Sequence, residues 1–120
     1  MKQLAEYIWL DGNTPQELKA KTKIINPLGR NDKDTYPEWS FDGSSTMQAI
    51  GHDSDCILRP VYSRPDPIRG YPHSLVLCEV FNKDGTPHKT NTRIRLREVL
   101  EGYKSEEPLV GIEQEYTLFS

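Results

Sequence analysis

The stretch Ser74-Leu75-Val76-Leu77-Cys78-Glu79-Val80-Phe81-Asn82 is the most apolar segment of this chain. It is rich in β-branched and aromatic residues, which favour a strand at this length. Turn residues follow at once in Lys83–Pro87 and end the segment. Because a strand this apolar is usually covered on both faces, we expect it to lie at the centre of a sheet, with other strands on either side.

Three more strands are predicted upstream of this one. Leu4–Leu10 alternates loosely and contains Tyr, Ile and Trp. Leu18–Ile25 alternates apolar residues with three lysines, which predicts a strand with one face in water. The turn at Asp11–Pro15 would join these two strands as a hairpin. Asp55–Tyr62 is the third strand, and the prolines that follow Ser63 end it.

The remaining segments complete the predicted architecture. Asn26–Ser54 is polar and rich in Gly, Asp and Ser, and so long a loop inside a compact domain usually has a function. Thr90 or Asn91 can cap a helix that runs to about Gly102. Val110–Phe119 predicts a last strand. Several strands with one helix indicate a small mixed sheet of the α+β class.

Composition excludes several classes of partner. The chain has 120 residues, 35% of them apolar, and a formal net charge of −3 with both signs interspersed. Nucleic acid is not an expected partner, because phosphate binding needs a cationic surface. The basic run Thr92–Arg97 is interpreted as a solvated face or as one that pairs between subunits. No apolar stretch approaches the roughly 20 residues of a membrane span, so we expect no membrane partner.

The cysteines and the N-terminus predict the compartment. Cys56 and Cys78 both lie inside apolar runs, which is typical of buried thiols in a reducing compartment. A disulfide between them is the alternative that spacing alone leaves open. The first residues show no signal-peptide pattern. We therefore expect a soluble cytoplasmic protein.

The segment Asp42-Gly43-Ser44-Ser45 has the chemistry of a tight turn. Gly43 permits a positive φ, and the Asp42 and serine side chains can bond nearby backbone amides. For an arbitrary sequence of this kind, a turn without a catalytic role is the commoner outcome. Here Trp39 and Phe41 flank the turn and can anchor it by burial. Asp42 is therefore a candidate general base or cation ligand in a fixed place.

Glu113 and Glu115 form the second candidate site. They lie two residues apart in the predicted last strand, which puts both side chains on one face with Cα atoms about 6.5–7 Å apart. Two like charges this close repel each other, and a hard divalent cation such as Mg²⁺ or Mn²⁺ would relieve the repulsion. A solvated glutamate face is the simpler alternative. Two glutamates also need further ligands to complete a coordination sphere.

Taken together and in this order, these segments resemble glutamine synthetase of the eukaryote-like (type II) class. The matching segments run along essentially the whole chain: Ala5–Gly12, Lys21–Lys23, Pro37–Thr46, Asp53–Asp55, Asp66–Gly70, Leu75–Glu79, Asp84–Pro87, Thr90–Arg93 and Gly111–Leu118. The resemblance implies a β-grasp (ubiquitin-like) domain over residues 3–86. It also implies the first helix and strand of a truncated catalytic domain over residues 91–120.

The resemblance further implies an activity and roles for single residues. Family members ligate ammonia to glutamate with ATP, through γ-glutamyl phosphate, and use Mg²⁺ or Mn²⁺. They are homo-oligomers whose active sites lie between subunits. Asp42 matches the aspartate that binds ammonium and takes its proton, and Ser45 matches the serine beside it. Glu113 matches a ligand of the metal nearer the ATP phosphates, and Glu115 a ligand of the metal nearer glutamate and ammonium.

The chain departs from the family in length. The remaining metal ligands of the family, its glutamate-binding arginines and most of its ATP pocket match nothing before Ser120. We therefore expect an N-terminal part of a synthetase, inactive alone and binding no cofactor by itself. The alternative is a stand-alone β-grasp binding module that associates with a full synthetase or another protein. A third interpretation is an α+β domain without retained activity.

Overall fold

The computed structural model describes residues 2–26 and 36–120. Five strands form a single sheet, and one helix follows them. The elements are β1 (Gln3–Leu10), β2 (Leu18–Ile25), β3 (Trp39–Asp42), β4 (Asp55–Pro65), β5 (Ser74–Asn82) and α1 (Thr92–Gly102), with short 3₁₀ turns at Gly43–Thr46 and Lys104–Glu106. The α+β prediction is therefore confirmed. Within the described residues, no helix combines the length and the apolar character that crossing a bilayer would require.

The most apolar strand lies at the centre of the sheet, as its sequence predicts. The strand order is β2-β1-β5-β4-β3. β1 pairs antiparallel with β2 and parallel with β5, while β4 is antiparallel to both of its neighbours. The predicted hairpin between the first two strands is confirmed, with Leu10 opposite Leu18.

One face of the sheet carries the core. Its buried members come from β1, β3, β4 and β5: Ala5, Tyr7, Trp9, Phe41, Cys56, Leu58, Val76, Cys78 and Val80. The rings of Trp9 and Phe41 lie 4.7 Å apart between centroids. Both cysteines are free and buried, as the sequence predicts for thiols in apolar runs. Burial raises the pKa of Cys78 to about 12, so this thiol stays protonated and packs as a small apolar side chain.

The lysines of β2 lie on the core side of the sheet. The sequence predicts that one face of this strand is in water, and charge alone would assign the lysines to that face. Lys21 is directly opposite the buried Tyr7, and opposed residues share a face. The Lys21 and Lys23 ammonium groups lie 3.7 and 4.9 Å from the centroid of the Trp39 ring, where the aromatic face attracts a cation. Leu18 and Ile24 consequently point outward and are 68% and 65% exposed.

The long loop predicted over Asn26–Ser54 contains regular structure. Trp39–Asp42 forms strand β3, which pairs with the start of β4, and the 3₁₀ turn at Gly43–Thr46 follows directly. Residues 27–35 of the predicted loop lie outside the described residues. Four residues in a polar setting give too short a pattern for sequence periodicity to detect, so only the partner strand reveals β3.

The helix is confirmed and the last strand is wrong. Asn91 caps α1 by accepting a hydrogen bond from the Ile94 amide at 3.2 Å and donating to the Val80 carbonyl at 3.1 Å. The helix buries no side chain of its own. Val110–Phe119 is neither strand nor helix, and its residues are exposed. A strand exists through hydrogen bonds to a neighbouring strand, and no part of the chain that the structure describes supplies one.

Two arginines of α1 contact a buried glutamate of β5. The guanidinium groups of Arg97 and Arg93 lie 3.3 and 3.9 Å from the carboxylate of Glu79, whose side chain is fully buried. The basic run at the start of the helix thus pairs within this chain, where the sequence suggested solvation or pairing between subunits. These ion pairs and the Asn91 cap attach the helix to the sheet.

Candidate functional site

Asp42 stands at the point where β3 ends and the 3₁₀ turn begins. Its backbone is extended, and its carboxylate caps the turn. Asp42 Oδ1 accepts hydrogen bonds from the Ser44 amide at 2.9 Å and from the Ser44 hydroxyl at 2.6 Å. The side chain is nonetheless exposed. The side-chain hydrogen bonds expected from the sequence are therefore present, and they leave part of the carboxylate free for a ligand. The positive φ that the sequence allowed at Gly43 is not adopted there; the left-handed residue of the turn is Met47, with φ 59°.

Hydrogen bonds keep Asp42 ionised. The Ser44 hydroxyl, the Ser44 amide and the Ser54 hydroxyl all favour the carboxylate and hold the pKa of Asp42 below its ordinary value. The group is thus negatively charged at neutral pH. A carboxylate that is ionised at neutral pH is well suited to attract a cation and less suited to retain a proton.

Ser45 lies on the same turn as Asp42. Its hydroxyl donates to the Asp42 backbone carbonyl at 3.1 Å and is exposed on the turn. The structure thus brings the two residues of the first predicted site together. A hydroxyl that donates one hydrogen bond can still accept others, so Ser45 could receive a hydrogen bond from a bound donor.

A second acidic residue near this turn was not assigned a role from the sequence. Asp55, at the start of β4, is directly opposite Asp42 in the pairing of β3 with β4. Opposed residues share a face, with Cβ atoms typically about 4.5–5.5 Å apart. Asp55 also lines an open cleft with Asp53, Lys83 and Asp84. Asp55 was missed because the sequence did not predict β3. The register of β3 with β4 is what places Asp55 beside Asp42.

The turn is packed tightly on its buried side. The amide of Gly12 donates to the Thr46 carbonyl at 2.8 Å. A Cβ atom on Gly12 would lie only 2.1 Å from the Met47 carbonyl oxygen, and one on Gly43 would lie 2.8 Å from the Cys56 sulfur. Gly12 is therefore required by the close approach of the Met47 backbone, and Gly43 by close packing against the Cys56 side chain. The buried side of the turn is in tight contact with Gly12, directly after β1, and with Cys56 in β4. The turn therefore cannot shift without disturbing these strands.

The second predicted site has no comparable support. Glu113 and Glu115 are exposed in the segment after α1, outside any strand. Over residues 2–26 and 36–120, neither carboxylate forms a salt bridge. The same residues contain no group of three His, Cys, Asp or Glu side chains arranged to hold a metal ion. The structure therefore does not bring these glutamates together with further metal ligands.

Comparison with known proteins gives a consistent match. The family described as "Glutamine synthetase, beta-Grasp domain" matches residues 1–83. A glutamine synthetase of Streptomyces viridochromogenes is 58% identical over 118 residues, which cover 96% of this chain and 34% of that protein. A chloroplastic glutamine synthetase of Chlamydomonas reinhardtii is 54% identical over 126 residues, which cover 97% of this chain and 33% of that protein. The chain spans about a third of the length of the curated relatives it matches.

Proposed function

The chain belongs to the glutamine synthetase β-grasp domain family, and from that premise we propose that it supplies the ammonium-site turn of a glutamate–ammonia ligase. The reaction would couple ATP to the ligation of ammonia and glutamate through γ-glutamyl phosphate. One observation carries the proposal above all: Asp42 is exposed and ionised on a turn whose buried side is rigidly packed. Assignment to the eukaryote-like class remains a prediction from the sequence.

Asp42 would hold ammonium, and its charge would concentrate this cation at the turn. Asp55, opposite it across β3 and β4, adds a second negative charge on the same face. Ser45 could accept a hydrogen bond from the bound cation. Ammonium must lose a proton before its nitrogen can attack the γ-carbonyl of the phosphorylated glutamate. Asp42, as the ionised carboxylate beside the cation, would receive that proton as the nitrogen attacks and phosphate leaves. Its lowered pKa would then favour passing the proton on to water.

Glu113 and Glu115 would hold the divalent metal ions that accompany ATP. Carboxylate oxygens are the ligands that Mg²⁺ and Mn²⁺ prefer, so the donor chemistry fits. Two carboxylates are an incomplete set, and the other ligands would come from residues outside this sequence and from the nucleotide. Such metals stabilise the charge of a transferring phosphoryl group. The contribution of this chain would be to place two carboxylates at one side of that site.

The active site would be shared between copies in a homo-oligomer. An exposed ammonium-site turn and exposed metal-site glutamates in one chain are compatible with each group completing the site of a neighbour. The isolated 120-residue chain is accordingly expected to form no glutamine. Cytoplasmic location also remains a proposal, since one relative is named as chloroplastic. Fractionation of cells that express the native gene would test the location.

The proposed function is tested in a grafted synthetase, in which residues 1–120 replace the matching segment of the Streptomyces relative. Asp42→Asn keeps the shape and removes the charge, so the ammonium KM should rise by about 10-fold or more. The KM values for ATP and glutamate should change little. Asp84→Asn is the matched control, because the Asp84 carboxylate in the turn after β5 likewise accepts hydrogen bonds from an amide and a hydroxyl two residues on, at Thr86; it should leave the ammonium KM unchanged.

Three results would contradict the proposal. The first is a grafted enzyme that folds and assembles but makes no glutamine. The second is an Asp42→Asn variant that weakens ATP binding and leaves ammonium kinetics unchanged. The third is glutamine formation by the purified 120-residue chain, which would show that the site is complete without a neighbour.

A stand-alone β-grasp binding module is the second candidate. The observation in its favour is that the five-stranded sheet, its core and the first 3₁₀ turn are all formed by residues up to and including Asn82. Such a module would bind a full synthetase through its exposed surfaces. The native reading frame after Ser120 separates the two candidates. A stop codon there favours the module, and continued coding sequence with further carboxylates and a histidine favours the ligase.

A further inference from the structure

A buried polar network holds the turn that carries Asp42. Its centre is the Gln48 side chain, which uses all of its hydrogen-bonding capacity. Gln48 Oε1 accepts from the Trp9 indole at 3.2 Å and from the Thr46 hydroxyl at 2.8 Å. Gln48 Nε2 donates to the Leu10 carbonyl at 3.0 Å and to the Thr90 hydroxyl at 2.8 Å. The network thus joins β1, the turn and the segment that precedes α1.

His88 joins the same network from the opposite side. Its Nε2 lies 2.6 Å from the Gln48 backbone carbonyl. A carbonyl can only accept, so Nε2 carries the hydrogen, and Nδ1 is free to accept. Nδ1 receives the Thr90 hydroxyl at 2.8 Å and the Thr90 amide at 3.2 Å. The neutral ring with hydrogen on Nε2 therefore satisfies every donor and acceptor around it, and His88 is only 7% exposed.

Backbone hydrogen bonds connect Gln48 to the residue next to Asp42. The amides of Gln48 and Ala49 donate to the Gly43 carbonyl at 2.8 and 3.0 Å and close the turn. Gly43 follows Asp42 directly in the sequence. His88 therefore holds the residue that closes the turn, while Asp42 and Ser45 stay exposed on its outer side.

We propose that His88 is a positioning residue for the ammonium site, acting through the Gln48 carbonyl on the turn that bears Asp42 and Ser45. The inference rests on the proposed function, because the turn matters for catalysis only if it binds ammonium. The same histidine, through Thr90, also ties the turn to Asn91, where the helix that leads toward Glu113 and Glu115 begins. Misplacement of a catalytic group by about 1 Å can cost roughly 100-fold in rate.

The test compares two substitutions in the grafted synthetase. His88→Phe keeps a ring and removes all three hydrogen bonds of the imidazole, so kcat/KM for ammonium should fall by about 10- to 100-fold while the KM values for ATP and glutamate change by less than about 3-fold. His88→Gln can still donate to the Gln48 carbonyl from the end of its side chain, and should recover most of the loss. His52→Phe alters an exposed histidine and is the matched control.

The outcomes separate this inference from the proposed function. If Asp42→Asn raises the ammonium KM and His88→Phe leaves kcat/KM for ammonium unchanged, the positioning role is wrong and the proposed function stands. If Asp42→Asn leaves the ammonium KM unchanged, the proposed function fails. Equal losses in His88→Phe and His88→Gln, or parallel rises in the KM values for all three substrates, would indicate a merely structural role and overturn the inference.

A second measurement on the 120-residue chain keeps the test decisive if His88→Phe impairs assembly. Hydrogen exchange by NMR should show faster exchange of the Gln48 and Ala49 amides in His88→Phe, with β1 and β5 amides unchanged. His88→Gln should restore their protection. Unchanged exchange at these two amides would show that His88 does not hold the turn.

Discussion

The Asp42 turn and the Glu113–Glu115 segment have equally clear sequence motifs and very different surroundings. The turn lies between two paired strands and is fixed by Gly12, Gln48 and His88 beneath it. The glutamate segment follows an exposed helix, and its residues are exposed. A motif thus supplies chemical groups, and neighbouring elements supply their geometry. A short sequence can carry both motifs and give fixed geometry to one of them.

The largest expected difference concerns apolar side chains. Leu58 in β4 is fully buried, so Leu58→Ala should lower the free energy of unfolding by about 2–5 kcal/mol. Leu118 in the glutamate segment is 85% exposed, and Leu118→Ala should change it by less than about 0.5 kcal/mol. Urea unfolding followed by tryptophan fluorescence measures both. Equal effects would mean that the segment packs on the sheet in solution.

The two regions should also differ in how much stability a glycine-to-alanine substitution costs. Gly12→Ala would place a Cβ atom 2.1 Å from the Met47 carbonyl oxygen, and the resulting strain should cost about 1–3 kcal/mol of unfolding free energy. Gly111→Ala meets nothing within 4 Å and is the matched control. Chemical denaturation of the two variants gives the comparison. A Gly12→Ala variant as stable as the parent would show that the base of the turn can move.

The charge on the turn depends on hydrogen bonds to the Asp42 carboxylate. The Ser44 hydroxyl is the main group that lowers the pKa of Asp42. In Ser44→Ala the pKa of Asp42 should therefore rise toward its ordinary value, measured by the pH titration of its carboxyl ¹³C resonance. Ser45→Ala is the control, because the Ser45 hydroxyl donates to the backbone carbonyl of Asp42 and not to its carboxylate. Equal shifts in both variants would refute the assigned cause.

The smallest expected effect is on the pH dependence of stability. Because the pKa of Asp42 is lowered in the folded chain, its ionised form stabilises the fold at pH values above the ordinary aspartate pKa of about 3.9. That contribution is lost as the pH falls through the lowered value. Asp42→Asn should therefore lose less stability than the parent between neutral pH and pH 3. Unfolding midpoints across this range test the sign, and a steeper loss in the variant would contradict it.

Sequence patterns predicted the elements that depend on local composition. The apolar run of β5, the hairpin of β1 with β2, and α1 with its Asn91 cap all follow from residue types at short range. The family resemblance, in turn, depended on motifs spread along the chain. These features need no knowledge of what lies across the sheet.

The errors arose where a distant partner decides the structure. Alternation in β2 shows that two faces differ, but the position of Trp39 decides that the lysines face inward. β3 is identified only by its pairing with β4. The same pairing places Asp55 beside Asp42. The strand predicted over Val110–Phe119 fails for the same reason, because no described neighbour pairs with it. At the candidate site, the residues of the turn were predictable and the Gln48–His88 network beneath them was not.

The attachment of α1 gives the molecule two parts that respond to different agents. The sheet is held by apolar burial, whereas the helix buries nothing and is fastened by one cap and by Arg93 and Arg97 on Glu79. Dissolved ions screen solvated charges and leave apolar burial largely intact. Glu79 is buried, but the Arg93 and Arg97 side chains are partly exposed, so ions can reach the cationic side of these pairs. Ionic strength should therefore loosen the helix, together with the glutamates it leads to, while the Asp42 turn keeps its shape. Salt would act on one half of the proposed site and spare the other.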